Sequence, residues 1–165
     1  MATEWNDPQV EERDGQTVVT VRLPWPADRC FELFAATDRL AEWLHVVGTF
    51  VVRERDERGR ALEVGFTGSL ERASIGYTLL YEYHDDTREL RWTHAGGGPR
   101  VLSGWVRFTP EGPGACRLEY ALTSELPPGL PPWADHFYAH EPAETVVLDF
   151  CTWLEEQLGA EPATR

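Results

Sequence analysis

Positive charge is scarce in this sequence. There are 28 acidic residues against 15 cationic ones, all of them arginine, and the formal net charge is −13. Binding to the phosphate backbone of a nucleic acid requires a positive patch, and anionic membrane surfaces repel a negative protein. The composition therefore predicts a protein that binds neither nucleic acids nor acidic membranes.

Long hydrophobic runs are absent as well. No apolar stretch approaches the roughly 20 residues that a transmembrane helix requires. The opening residues, MATEWND, are polar and acidic and do not resemble a secretory signal. We expect a cytoplasmic protein without membrane insertion.

Cysteine is also rare. Cys30, Cys116 and Cys151 are odd in number and far apart, which fits neither a disulfide framework nor a zinc-binding pattern. All three lie among apolar residues, where a cysteine behaves as a small hydrophobic side chain. We expect buried, reduced thiols.

The length of 165 residues predicts one domain. We place a flexible lead-in at 1–15, a single domain at 16–159 and a frayed tail at 160–165. Seven segments show the alternation or the flanking turn residues that are typical of strands. They are Thr17–Leu23, Val47–Asp56, Ala61–Leu70, Ala73–Tyr83, Arg88–Ala95, Val101–Thr109 and Cys116–Glu125. The short connections between them predict an antiparallel meander.

Helical spacing occurs near both ends of the chain. Pro24 and Pro26 end the first strand, and Pro26 is well placed near a helix start. Two short helices follow, with apolar sides formed by Phe31, Leu33 and Phe34 and by Leu40, Trp43 and Leu44. Pro142 begins a longer helix, whose apolar positions are Val147, Phe150, Cys151, Leu154 and Leu158.

The segment from Val21 to Leu44 resembles the opening pattern of the START-like superfamily, also called SRPBCC or Bet v 1-like. The nearest likeness is to its polyketide cyclase/dehydrase and lipid-transport group. The residues that carry it are Pro24, Pro26, Phe31, Leu33, Phe34, Asp38, Leu40, Glu42 and Trp43. Ala41 stands where the family often has proline. As an order of elements the likeness covers residues 16–158.

This resemblance implies an α+β helix-grip fold. In that fold a curved, seven-stranded antiparallel sheet surrounds a long C-terminal helix, and two short helices follow the first strand. Members of the superfamily hold apolar or reactive ligands in an internal cavity. The family offers no universal catalytic motif, so candidate residues must come from the chemistry of the side chains.

Three residues are candidates for catalysis. His94 shares a strand face with Leu90 and Trp92, and an imidazole can exchange protons with a carbonyl substrate near neutral pH. A hydrogen bond to a backbone carbonyl would be its structural alternative. Tyr77 offers a phenol that could stabilise an enolate. Arg107 could anchor a carboxylate or phenolate if it faces inward, although the cost of burying a charge favours the outward orientation.

A larger set of residues is expected to line the cavity. It comprises Phe66, Tyr81, Trp92, Trp105, Tyr120, Phe137, Val147, Phe150 and Leu154. Ordinary core packing is the alternative for each of them. His136 and His140 have the spacing of a metal pair on a helix, but Pro142 interrupts the stretch and no third ligand matches. We therefore expect neither a metal nor an organic cofactor.

The leading hypothesis is a protein that binds a hydrophobic, aromatic or polyketide-like small molecule and promotes its cyclisation or dehydration. One alternative is a carrier or sensor for a lipid-like ligand. The other is an interaction module that meets a basic partner through its acidic exterior. The sequence is compatible with a monomer or a homodimer.

Overall fold

The computed structural model describes residues 7–43, 49–70, 73–96, 101–125 and 142–159. Within these ranges the chain forms one curved antiparallel sheet of eight strands. The strands are β1 (Gln9–Arg13), β2 (Gln16–Leu23), β3 (Thr49–Arg55), β4 (Ala61–Leu70), β5 (Ala73–His84), β6 (Glu89–Gly96), β7 (Val101–Pro110) and β8 (Cys116–Glu125). Their order is β1-β2-β8-β7-β6-β5-β4-β3, so β3 to β8 form a meander and β2 pairs with the last strand.

Three helical elements accompany the sheet. They are α1 (Ala27–Phe34), a 3-10 helix (Thr37–Glu42) and α2 (Pro142–Leu158). Pro26 stands at the N-cap of α1, where its missing N–H is not needed, and Asp28 lies in the first turn, where the helix dipole favours a negative charge. Within the described ranges, no helix combines the length and the apolar character needed to cross a bilayer.

Alternate residues of each strand point toward the helices, on what we call the inner face. Val21 lies opposite Leu118, which lies opposite Phe108 on the next strand. These three side chains are at most 1% exposed. The alternation that identified the strands in the sequence therefore also identifies the side of the sheet that carries the core.

The ring of Phe150 on α2 joins the helices to the sheet. Its centroid lies 4.8 Å from that of Phe34 on α1, 5.0 Å from that of Trp43 and 6.1 Å from that of Phe108 on β7. Edge-on packing of this kind adds stability beyond the burial of apolar area. The two ends of the chain are thus held on one side of the sheet by a shared aromatic cluster.

The predicted α+β helix-grip architecture is confirmed, with one difference in the number of strands. All seven predicted strands are present, and the additional strand is β1. It pairs with β2 along the sheet edge, and each of its five residues is exposed. A strand that buries no side chain has no apolar alternation, so periodicity could not reveal it.

A hydrogen-bonded cluster fastens the 3-10 helix to the sheet. The Tyr83 hydroxyl at the end of β5 donates to the carbonyl oxygen of Ala61 at 2.6 Å, and the Ala61 N–H donates to Thr37 Oγ1 at 3.3 Å. The Arg60 guanidinium lies 4.3 Å from the centroid of the Tyr83 ring. Burial raises the pKa of Tyr83 to about 12.

Tyr83 should make the stability of the fold sensitive to alkaline pH. Its pKa is higher in the native state than in the unfolded chain, where it is about 10. The stabilisation is therefore complete below pH 10 and is lost as the pH rises to about 12. We expect Tyr83→Phe to lower the free energy of unfolding by roughly 0.5–1.5 kcal/mol at neutral pH, and to unfold with a shallower dependence on pH above 10. Urea unfolding at pH 7 to 12 measures both, and equal slopes for the two proteins would contradict this assignment.

The three cysteines meet inside the core, from α1, β8 and α2. Each is fully buried and none forms a disulfide. A hydrogen bond with Cys116, together with burial, raises the pKa of Cys30, and burial raises the pKa of Cys151 to about 12. Because the thiolate is the reactive form, these thiols should be inert in the native protein.

Thiol titration tests this packing. With an aromatic disulfide reagent at pH 8, we expect negligible labelling of the native protein and reaction of all three thiols in concentrated urea. Fast reaction of any cysteine under native conditions would show that the core opens easily at that position.

Candidate functional site

The helices cover the two halves of the inner face unequally. Helix α1 contacts β7, and α2 contacts β2, β8 and α1. On that half Val19, Val106 and Phe108 are completely buried. On the other half, which β3 to β6 form, Phe50 and His94 on the inner face keep part of their surface accessible. The incompletely covered half is the candidate binding site.

Aromatic rings line the inner face of this half of the sheet and continue to Tyr120 on β8. We call the set formed by Phe50, Phe66, Tyr81, Trp92 and Tyr120 the aromatic floor. Trp92 is central: its ring lies 5.3 Å from that of Tyr120, at an interplanar angle of 39°, and 6.5 Å from that of Tyr81, which stands perpendicular to it. The rings of Phe50 and Phe66 lie 6.2 Å apart. Phe66, Trp92 and Tyr120 are at most 7% exposed, so within this set Phe50 and Tyr81 supply the ring surface that a ligand could reach.

A glycine on β7 gives the central tryptophan its position. Gly104 lies opposite Trp92 in the strand register. A Cβ atom at Gly104 would lie 2.1 Å from the carbonyl oxygen of Ala121 and 3.0 Å from Cζ2 of Trp92. The absence of a side chain at this point therefore lets the indole ring lie close against the neighbouring strand.

His94 lies on the inner face at the rim of the aromatic floor. It pairs with Leu79 across β5 and β6, two residues beyond Trp92 on the same face. It is half-buried. Among the described inner-face side chains of the sheet, it is the one imidazole. Tyr77 pairs with Phe66 in the strand register, and its side chain lies outside the described part of the structure.

Arg107 and Trp105 lie on the opposite, outer face. Arg107 pairs with Glu89 across β6 and β7, and its Nε atom is 3.1 Å from Glu89 Oε1. Its guanidinium lies 4.8 Å from the centroid of the Trp105 ring. The buried neighbours Val106 and Phe108 occupy the inner positions of this strand. The outward orientation of Arg107 is the one that the cost of burying a charge favours, and Trp105 lies on the same outer face because side chains alternate along a strand.

The residues expected on the helix side belong to the core. Val147, Phe150 and Leu154 are at most 1% exposed. The ring contacts of Phe150 are those of the aromatic cluster that joins the helices to β7. The described contacts of these side chains are those of core packing. Phe137, His136 and His140 lie outside the described residues.

The sequence analysis did not identify two residues of the site, Phe50 and Gly104. Phe50 lies opposite Phe66, and the alternation of Phe50 and Val52 within the predicted strand could have placed them on the inner face. Gly104 could have been noticed as a glycine inside a strand, which often marks a close approach. What it approaches is visible only in the folded chain.

Comparisons with known proteins agree with this architecture. The sequence profile of the family described as polyketide cyclase/dehydrase and lipid transport matches residues 15–155. No curated protein sequence matches the chain. Many solved structures match the chain, and three of those that share its fold at low sequence identity are described below.

The Zhui aromatase/cyclase from Streptomyces sp. R1128 has a TM-score of 0.76 and 13% identity, and the match covers 90% of this chain and 98% of that one. A START superfamily protein from Mycobacterium smegmatis gives 0.72 and 15%, with 86% and 98% covered. Norcoclaurine synthase from Thalictrum flavum, a point mutant in complex with a transition-state analogue, gives 0.63 and 10%, with 92% and 98% covered. At these identities the likeness concerns the fold.

The close approach at Gly104 can be tested by adding one methyl group. We expect Gly104→Ala to lower the free energy of unfolding by about 1–3 kcal/mol, because the new Cβ must displace the neighbouring backbone and the Trp92 ring. Near-ultraviolet circular dichroism should change with the tryptophan environment. Gly114→Ala is the matched control, since a Cβ there meets no atom within 4 Å. Equal stability of the two variants would show that the Trp92 ring and the neighbouring backbone can accommodate the added methyl group.

Proposed function

The chain belongs to the polyketide cyclase/dehydrase and lipid transport family, and from this premise we propose that it binds a flat hydrophobic small molecule, aromatic or polyketide-like, on the aromatic floor. The family and its fold support a domain that binds hydrophobic ligands. The single observation that supports the finer proposal is the row formed by Tyr81, Trp92 and Tyr120, whose rings contact one another beside the incompletely covered half of the sheet.

We further propose that the protein promotes cyclisation or dehydration of this ligand. Such a site folds a flexible ligand so that a carbon atom flanked by two carbonyl groups lies close to a third carbonyl group of the same molecule. The two reacting atoms are then held together in a reactive geometry and do not have to meet by chance. His94 would take one proton from that carbon as the new carbon–carbon bond forms and give it to the resulting alkoxide. In the dehydration it would take the second proton of the same carbon and give it to the departing hydroxide, which leaves as water. The Tyr81 and Tyr120 phenols are the candidates to donate hydrogen bonds to the enolate oxygen.

Non-catalytic carriage of a hydrophobic ligand is the second candidate. It is favoured by the outward position of Arg107, which leaves His94 as the residue of the described inner face that suits proton transfer near neutral pH. A carrier needs apolar contact area and no proton transfer. Native mass spectrometry of gently purified protein would detect a retained lipid, as this alternative requires.

Binding can be measured without knowledge of the natural ligand. We expect 2-naphthylmethanol, a flat neutral probe, to bind in isothermal titration calorimetry. Trp92→Leu should weaken its binding about tenfold, because an aromatic contact is worth roughly 0.5–1.5 kcal/mol beyond its buried area. Trp105→Leu is the matched control: the same substitution on the outer face of the next strand should leave the affinity unchanged. Equal losses of affinity in the two variants would show that the probe does not bind at Trp92.

Catalysis is tested at His94. With a linear poly-β-keto ester as substrate, we expect the wild-type protein to accelerate formation of the aromatic chromophore. His94→Gln, which keeps a polar side chain of similar size, should lower this rate about 100-fold or more while the probe binds as before. Unchanged turnover in His94→Gln would remove the histidine from the mechanism. Absence of turnover in the wild type, with probe binding intact, would favour the carrier.

A further inference from the structure

Among the described residues, positive charge is neutralised by neighbouring carboxylates, including the charge of Arg60, whose guanidinium lies on the Tyr83 ring next to Tyr81 of the aromatic floor. Each described arginine has a carboxylate oxygen within 4.0 Å; these residues are Arg13, Arg22, Arg29, Arg39, Arg53, Arg55, Arg58, Arg60, Arg88, Arg91, Arg107 and Arg117. Arg60 is held by two, with 2.9 Å to Asp56 and 2.8 Å to Asp85. The acidic residues exceed the arginines, and the net charge of −13 remains.

The floor itself carries no arginine among its described side chains. Arg107 lies on the outer face between Glu89 and Glu119, at 3.1 and 4.0 Å. Arg91, which is adjacent to Trp92 in the sequence, lies on the same face and pairs with Glu89. The described inner positions of β3 to β6 are apolar or aromatic, with His94 at the rim. A carboxylate placed there would lose its hydration without gaining a guanidinium partner among the described inner-face side chains, which is unfavourable.

A cation, unlike a carboxylate, is expected to interact favourably with the aromatic floor. The faces of tryptophan and tyrosine rings carry negative electrostatic potential and attract ammonium groups. The Trp92 and Tyr120 rings, 5.3 Å apart, are buried against each other, and Tyr81, which contacts Trp92 and keeps part of its surface accessible, is a ring of this kind that a cation can reach. The surplus of acidic groups over the whole chain also raises the local concentration of cations near the protein and lowers that of anions.

From these observations we infer that the site discriminates its ligands by charge: it accepts neutral and cationic flat molecules and rejects the corresponding carboxylates. The inference rests on the proposed function, because it concerns the same aromatic floor. It narrows the ligand class to uncharged polyketide-like or aromatic compounds and aromatic amines, and it excludes fatty acids and aromatic acids as the preferred ligands.

Three probes with the same ring system test the inference. They are 2-naphthylmethanol, 2-naphthylmethylammonium and 2-naphthoate, titrated calorimetrically at pH 8, where imidazole side chains are ordinarily neutral. At low ionic strength we expect the ammonium to bind at least as tightly as the alcohol and the carboxylate to bind at least tenfold more weakly. In 0.5 M NaCl the ammonium should lose part of its advantage, because salt screens the long-range field. The carboxylate should remain excluded, since desolvation is not screened.

A gain-of-function variant supplies the complementary test. His94→Arg places a guanidinium at the rim of the floor, and we expect it to improve 2-naphthoate binding at least tenfold. His84→Arg is the matched control and should leave 2-naphthoate binding unchanged. His84 lies at the end of β5 beside Glu82, 2.6 Å away, and not at the rim of the floor. Circular dichroism and urea unfolding establish that both variants are folded.

The outcomes separate the inference from the proposed function. If 2-naphthoate binds as tightly as the alcohol, the charge selectivity is wrong while ligand binding stands. If a folded His94→Arg still rejects 2-naphthoate, the lack of a cation is not the cause and the inference also fails. If none of the three probes binds, the proposed function itself is overturned.

Discussion

A single curved sheet has to bury one face, and here two helices from opposite ends of the chain share that task. Phe150 on α2 packs against Phe34 and Trp43, which follow the first long strand, and against Phe108 in the sheet. Because all these rings are buried, neither helix can leave without exposing the apolar surface of the other. The remaining architecture depends on this contact, since it fixes which part of the inner face the helices cover.

The candidate site follows from what that packing leaves uncovered. Helix α2 contacts β2 and β8, at one end of the strand order, whereas the rings of Phe50, Phe66 and Tyr81 lie toward the other end. Aromatic residues suit such a surface because they can be part of the core and still offer a flat contact to a guest molecule. Trp92 connects the core to the candidate site: its ring contacts Tyr120 on the core side and Tyr81 on the side away from the helices.

The two faces of the sheet differ in electrostatics as much as in hydrophobicity. On the outer face Arg107 lies between Glu89 and Glu119, and Arg117 lies between Glu111 and Glu119. Glu89 is buried, whereas both arginines keep more than a third of their side chains exposed, so solvent still screens these pairs. Together they pair the described arginines of the outer face with carboxylates, whereas the described inner face carries rings and few charges. This separation connects the acidic composition to the choice of ligand.

Much of the fold was determined by the sequence alone. Apolar alternation identified seven strands, prolines marked the starts of both α-helices, and the opening pattern indicated the helix-grip family, because these signals depend on near neighbours in the chain. Tertiary structure decided the rest. Only the pairing of β6 with β7 puts Arg107 beside Glu89 and turns it outward, and only the same pairing brings Gly104 beneath Trp92. Alternation says that two sets of side chains face opposite ways, but which set meets the helices is fixed by contacts between residues that are distant in sequence.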